Sequence, residues 1–458
     1  MSLQDAKEQS PSGLFKLALN SFKLLFLMFI LALDPFGLTS ASDTASANVV
    51  NKVLSLYYPA TAQQEITVVL IDDIALDAIQ AHWPLSYQEQ AKLYRTILNY
   101  QPRALFSDLL YTFDRSTASD KVEFLNNTFE RYRHIPIYLP KPMRPTTEQR
   151  PEFRHTKPVF VQWSGAEHYY PRIFNELRSP AQALYELHCS SNSCPSEPEV
   201  QTPPHIAVQW GSRLAPVQQN ITDTSHCQPE SHSFFAILDM LFDDIFWKTN
   251  TEWRQPCPYH ITINAAQLRA NDTSAKQLFT ELIQDKYVFL GAYIQGAKDS
   301  ILSPVHGNVP GVYLHAMAFD NLLTYGERHY RPSHEIFGNV DINDLVDSLF
   351  FICFMLLRDA PVSPSENTNT KSRIRWYHTW RLAALLAVAM LLTSLFFAVV
   401  LHYEPINWLG LSVLFLAISY HKFISNKVNY LIFSKIPKIF SNKNNSVRSN
   451  ANENHHSD

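Results

Sequence analysis

The chain has 458 residues, 46% of them hydrophobic and 17% charged, with a formal net charge of -4. That length suits one large or two ordinary domains, and the balance excludes the basic excess of a nucleic-acid binder. The apolar residues are concentrated in runs, so the composition is that of a mixed globular and membrane chain.

Residues 1–13 read as a short cytoplasmic tail. Residues 14–39 contain the apolar run LLFLMFILAL from Leu24, preceded by Lys7, Lys16 and Lys23 and followed by Asp34-Pro35. A signal peptide has the same pattern, but the long basic lead favours an uncleaved membrane anchor.

From about residue 60 to 115 the pattern is strand, helix, strand. EITVVLIDD is β-rich and ends on Asp72 and Asp73; SYQEQAKLYRTILNY has apolar residues at helical spacing; RALFSDLLY is a second apolar run reaching Asp108. Such a unit predicts parallel strands joined by a right-handed crossover. KQLFTELIQD and KYVFLGAY repeat helix then strand further on. The expected fold class is α/β, a three-layer sandwich, with transmembrane α-helices added.

Residues 140–260 change character. Prolines cluster, and seven histidines fall between His155 and His260, so a loop-rich insertion is expected, interrupted by the strand KPVFVQW and the helix RSPAQALYELH. Its histidines are expected on the surface. Cys189, Cys194, Cys227 and Cys257 form an even set, which in an oxidising compartment predicts two disulfides with three possible connectivities; the local pairing is Cys189 to Cys194 and Cys227 to Cys257. Zinc ligation is the alternative, but no paired CxxC spacing supports it, and whether the chain carries a metal stays open.

VFLGAYIQGAKDSILSPVHGNVPGVYLHA, residues 288–316, opens like a phosphate-binding loop. The spacing is wrong: Ala297 separates Gly296 from Lys298, Asp299 follows, and prolines precede the next helical pattern. Instead, Asp72, Asp73, Asp108 and Asp299 all fall at strand carboxyl ends, the edge where open parallel sheets bind ligands. Each of these acids has a plain alternative as a turn or cap residue.

Three C-terminal crossings are expected. Residues 382–402 form an uncharged run of the length a bilayer requires, about 20 residues. After the link His402-Tyr403-Glu404-Pro405 a second run covers 406–424, giving a hairpin. The run DSLFFICFMLL within 337–357 is short, but counting it as a crossing places every basic flank, including the tail 425–458, in the cytoplasm. Basic near the membrane and Asn- and Ser-rich beyond, that tail reads as disordered.

VVLIDDIAL with Trp83-Pro84, ALFSDLLY, and VFLGAYIQGAKDSILSPVHGNVPGVYLHAMAFDNLLTYG together closely resemble the CHASE type-2 domain, a bacterial sensory extracellular domain associated with cyclases and histidine kinases. The resemblance covers most of residues 45–330 and implies an extracytoplasmic sensor in the bacterial plasma membrane with both termini cytoplasmic. It further implies framework and ligand-pocket positions at Gly291, Asp299, Pro304, Pro310, Gly311 and Val312, with His315 opening a helix. On physical grounds the His315 ring would lie near the acidic strand ends and pair with Asp72 or Asp108, the alternative being a buried, satisfied histidine that packs the helix on the sheet. The resemblance also suggests a homodimer.

Family members usually continue into a cyclase or kinase output domain, and none follows here, so a separate signalling protein of kinase or cyclase type is the expected partner. No cofactor is identified, and no catalytic residue is assigned. A scaffold subunit of an envelope complex, or a metal-dependent hydrolase built on Asp72, Asp108 and Asp299, are the alternatives to a sensor.

Overall fold

Ile66–Asp72 (β1) is apolar and β-branched almost throughout, the composition of a strand covered on both faces. A computed structural model describes residues 38–141, 153–161, 169–192, 194, 205–224, 227, 257–269, 272–296, 299–337, 340–358 and 368–418. In it, β1 lies inside a six-stranded, wholly parallel sheet. The other strands, in chain order, are Ala104–Ser107 (β2), Ile137–Pro140 (β3), Lys157–Val159 (β4), the short Tyr169–Pro171 (β5), Ile173–Phe174 (β6), Leu177–Arg178 (β7) and His205–Ala207 (β8), then Ile261–Asn264 (β9), Tyr287–Tyr293 (β10), Ser300–Ser303 (β11), Gly307–Pro310 (β12), Glu335–Phe337 (β13) and Val340–Asp341 (β14). The sheet order is β4-β3-β2-β10-β1-β9; β10 sits between β1 and β2, so the first crossover skips one strand position.

The helices are Leu38–Ser55 (α1), Asp73–Ala78 (α2), Tyr87–Asn99 (α3), Glu123–Arg131 (α4), Pro180–Ser191 (α5), Thr273–Ile283 (α6), Val312–Tyr325 (α7), Ile342–Arg358 (α8), Thr368–Phe396 (α9) and Trp408–Ile418 (α10). Ser86 begins α3 because its hydroxyl accepts the Glu89 N–H at 3.1 Å, the first half of a capping box. Alternate strand residues feed two cores. Val69, Ile71, Leu105, Val288 and Leu290 pack with α3, α4 and α6; Ile66, Val68, Phe106, Tyr287 and Phe289 pack with α5 and α7. Each such buried side chain contributes roughly 1.5–3 kcal/mol of hydrophobic stabilisation. The chain is thus mixed α/β with helices on both faces of a parallel sheet.

The insertion differs from its expected loop character. Helix α5 starts at the Ser179 cap with Pro180 in its first turn, and Ala181 and Leu184 enter the second core beside Tyr170 and Ile206. It therefore supplies half of one helical layer. The expected strand KPVFVQW is short, confined to β4, and residues 162–168 lie outside the described residues. Cys189 pairs with Cys194 and Cys227 with Cys257, the local connectivity, which removes all four thiolates from any zinc site. His260 is buried rather than on the surface, because Asp320 offers it a partner inside the core.

The chain divides into two units. One comprises Ala47–Ser333 with Phe397–Glu404, the other Met1–Ser46, His334–Phe396 and Pro405–Asp458. In the second unit Phe351, Phe354, Met390 and Phe415 form a small core, with the Phe354 and Phe415 rings stacked 4.2 Å apart. Asn407 caps α10 by accepting the Gly410 N–H, and its amide donates to the Ser42 hydroxyl. Among the described residues one stretch, Tyr377–Leu401, is long and apolar enough to cross a membrane, while Trp408–Ile418 is apolar but shorter. The expected anchor at 14–39 falls, apart from its last two residues, outside the described residues, as do the end of the 406–424 run and the tail 425–458.

Candidate functional site

Two adjacent strand ends build the site. Past β2, the Asp108 N–H donates to the Leu290 carbonyl at 2.8 Å, which holds Asp108 against β10. Strand β10 runs out at Tyr293 and the chain turns through Gly296, whose φ of +107° suits glycine. The β11–β12 hairpin then returns it to Gly311, whose N–H donates to the Asp299 carbonyl at 3.2 Å. This hairpin, rather than a helix, follows the glycines of the phosphate-loop-like stretch. Pro304 lies in its turn and Pro310 at its end.

Gly291 and Gly311 each admit a close approach. A Cβ at Gly291 would lie 2.5 Å from the Val312 side chain, so α7 can rest on β10 only over a glycine. A Cβ at Gly311 would lie 2.8 Å from Asp299 Oδ1 and 3.8 Å from Asp108 Oδ2, so the two carboxyl groups flank the same small space at the start of α7. Asp108 is the inner acid, its side chain 10% exposed; Asp299 is more open.

One helical turn beyond Gly311, His315 faces the same edge. Its Nε2 is 3.8 Å from Asp108 Oδ2, beyond hydrogen-bond reach, and its Nδ1 is 2.8 Å from the Tyr170 hydroxyl. That hydroxyl also accepts the Ala181 N–H, so the ring is held through Nδ1 with its Nε2 edge turned towards Asp108. Burial holds the His315 pKa down at about 3. Burial, with the charge of Asp299 second, pushes Asp108 up to about 8, and burial also raises Asp299. The Asp108 carboxyl accepts no hydrogen bond from the described residues. The site is therefore a buried histidine ring and a nearly buried acid, Asp108, with the more open Asp299 beside them.

The remaining expected positions go elsewhere. Asp72 Oδ1 accepts the Ala75 N–H at 2.6 Å and the Asn264 amide at 2.7 Å, which makes it the cap of α2 rather than the partner of His315. Asp73 accepts the Gln295 N–H at 2.9 Å. Both lie beyond β10 from Asp108. Tyr170 was missed because it belongs to the insertion, with nothing local to tie it to α7. Among the described residues no group of three or more His, Cys, Asp or Glu side chains is arranged to hold a metal ion.

Strand β5 carries contacts to both of its sides. Tyr170 points inward to His315, whereas the neighbouring Tyr169 donates its hydroxyl to Glu404, in the link between α9 and α10. The same link is held by main-chain bonds, Arg331 N to His402 O at 2.9 Å and Glu404 N to Arg331 O at 3.0 Å, and by His402 stacked 4.9 Å from Tyr330. Arg172, just past β5, makes a buried bidentate pair with Glu327 after α7.

No curated protein and no solved structure matches the chain. The sequence model of the CHASE2 domain matches residues 24–357, most of the chain, and that family comprises sensory extracellular domains. The match takes in both strand ends, the hairpin and α7, and the chain accordingly belongs to the CHASE2 domain family.

Proposed function

We propose that the chain is a multi-pass sensor of the bacterial plasma membrane that detects a signal at the acidic edge of its extracytoplasmic CHASE2 domain and relays it to a separate signalling protein of kinase or cyclase type. Asp108, Asp299, Gly311 and His315 form the receiving site in this reading; Gly291 and Pro310 are its framework. Asp72 and Asp73 support its rim.

The observation that carries the reading is the path from His315 through Tyr170 and Tyr169 to Glu404. A change in how His315 sits against Asp108 moves Tyr170, and the strand it belongs to grips the link between two C-terminal helices. A ligand that binds one arrangement of this path more tightly than the other shifts the population of the helices. The apolar stretch Tyr377–Leu401, only 17% of whose most apolar window is buried, supports a bilayer crossing at one end of that link. Four crossings, with both termini cytoplasmic, keep the basic flanks inside.

Site-specific crosslinking of the full-length protein in native membranes, followed by mass spectrometry, tests this. Recovery of a kinase or cyclase whose yield changes with Asp108→Asn and with Tyr169→Phe is the expected result. Recovery of envelope structural proteins alone, unaffected by either substitution, would replace the sensor with a scaffold.

A further inference from the structure

We infer that the cleft between the segments following β1 and β2 binds a small organic carboxylate, its charged end on Arg115 and its apolar body along Ile79, Ala81, Pro84 and Leu85. None of Asp108, Asp299 and His315 lines this cleft, so the inference goes beyond the sensor reading and does not rest on it.

The cleft is a cavity of about 530 Å³, within the range of roughly 300–1,000 Å³ typical of small-molecule sites. Residues between the end of α2 and the first turn of α3 form one side, and Arg115 and Asp120, beyond β2, form the other. Segments that leave the carboxyl ends of parallel strands are where α/β sheets bind ligands.

Charge complementarity selects the head of the ligand. Arg115 is positioned twice by Tyr87: its main-chain N–H donates to the Tyr87 hydroxyl at 3.0 Å, and its guanidinium lies over the Tyr87 ring, 5.7 Å from the centroid. Tyr87 is only 1% exposed, so the core fixes this platform. Among the described residues the guanidinium nevertheless makes no hydrogen bond and no ion pair, and its N–H donors are left for a ligand.

The two carboxylates of the cleft are already committed. Glu89 pairs with Lys92 at 2.6 Å and with Arg269 at 2.7 Å. Asp120 accepts the Tyr87 and Gln88 N–H groups at 2.9 Å, and with Ser86 on the Glu89 N–H the first turn of α3 has no donor to spare for an anion. Arg115 is thus the charge left over, and a planar carboxylate matches its guanidinium fork. A phosphate dianion would bring a second negative charge up against Glu89 and Asp120.

The rest of the lining selects the body. Ile79, Ala81, Pro84 and Leu85 present apolar carbon, which suits an aryl or alkyl acid better than a hydrated inorganic anion. Gln80 adds a polar contact: it stands at φ +50° just after α2, where glycine is the usual residue, and its amide borders the cleft with no partner among the described residues.

The test uses the full-length protein in lipid nanodiscs near neutral pH, titrated calorimetrically with sodium phenylacetate and sodium hexanoate, with benzyl alcohol, 2-phenylethylammonium and inorganic phosphate as comparators. Saturable binding of both acids is expected, weakened about tenfold or more in Arg115→Gln. It should be unchanged in Arg131→Gln, which removes a guanidinium that lies over the Tyr132 ring at 5.6 Å and does not line the cleft. Phenylglyoxal modification of the unsubstituted protein, followed by peptide mass spectrometry, gives a readout that needs no variant to fold: phenylacetate should slow the reaction of Arg115 and not that of Arg131. Absence of saturation by both acids, equal binding of benzyl alcohol, tighter binding of phosphate than of either acid, or an unchanged response in Arg115→Gln overturns the assignment. Each of these outcomes leaves the sensor reading to its own test, the partner crosslinking that responds to Asp108 and Tyr169.

Discussion

Helix α7 carries two histidine–aspartate pairings, and they differ in completeness. His260 Nε2 lies 3.1 Å from Asp320 Oδ2, with both side chains at 2% exposure or less. Tyr58 and Thr324 donate to the other oxygen of Asp320, at 2.6 and 3.1 Å, and Asn321 links Tyr58 to the Gln209 backbone. At the helix start, His315 and Asp108 stop 3.8 Å apart, and the acid beside them is a like charge rather than a donor. One network is closed on itself and the other is not. A buried polar group that finds all its partners within the chain is architecture, whereas one that does not is where a ligand can act.

The largest expected effect falls on the closed network. Asp320→Ala leaves the Tyr58 hydroxyl, His260 and Thr324 without their shared acceptor, at a cost of about 3–5 kcal/mol, read by chemical denaturation of the full-length protein. A loss below about 1 kcal/mol would mean the network is dispensable and would erase the contrast. Gly291→Val comes next. It drives a side chain into Val312 and should cost about 1–3 kcal/mol through displacement of α7 from β10.

That packing could be anticipated only in part. The runs that became β1, α3, β2, α6 and β10 were legible because periodicity is local, and Pro310-Gly311 marked the start of α7. The insertion of β10 between β1 and β2 was not, since strand order is decided by contacts distant in sequence. Nor could the acids be sorted. Asp72 is followed directly by α2 and caps it, whereas Asp108 is followed by loop and has no helix to cap; both read as an aspartate after a strand. Tyr170 was hidden for the same long-range reason, sitting 145 residues from His315 in proline-rich sequence.

Ionisation sharpens the contrast further. In the folded chain Asp108 keeps its proton to about pH 8, so its contribution to stability is fully present below about pH 4 and lost as pH rises through 8. His315 behaves oppositely. Its folded pKa of about 3 means the neutral ring stabilises above its ordinary value near 6.5, and that is lost as pH falls; His306 and His329, both held near 4 by burial, add to the acid side. Stability should therefore peak close to pH 6.5 and decline towards pH 8 to 9. Asp108→Asn should make the alkaline decline shallower, with Asp299 supplying what remains, and leave the variant more stable than the parent by more than about 1 kcal/mol at pH 9. Thermal unfolding across pH 4 to 9 checks this, and an unchanged alkaline limb in the variant would show that Asp108 ionises freely.

The smallest effect on stability separates the site from its output. Tyr169→Phe removes one hydroxyl at the Glu404 carboxylate while β5 keeps its pairing to β8 and Tyr170 keeps His315. Glu404 stays held by its main-chain bond to Arg331, so unfolding should shift by no more than about 1 kcal/mol. The arrangement of Asp108, Asp299 and His315 should be unchanged, since no atom of that site is touched. The link between α9 and α10, by contrast, loses its side-chain hold on the strand that touches His315, so ligand-dependent crosslinking to the signalling partner should fall several-fold. If Tyr169→Phe leaves that coupling intact, the signal leaves through α7 and the Arg172–Glu327 pair instead, and Glu404 merely anchors the link.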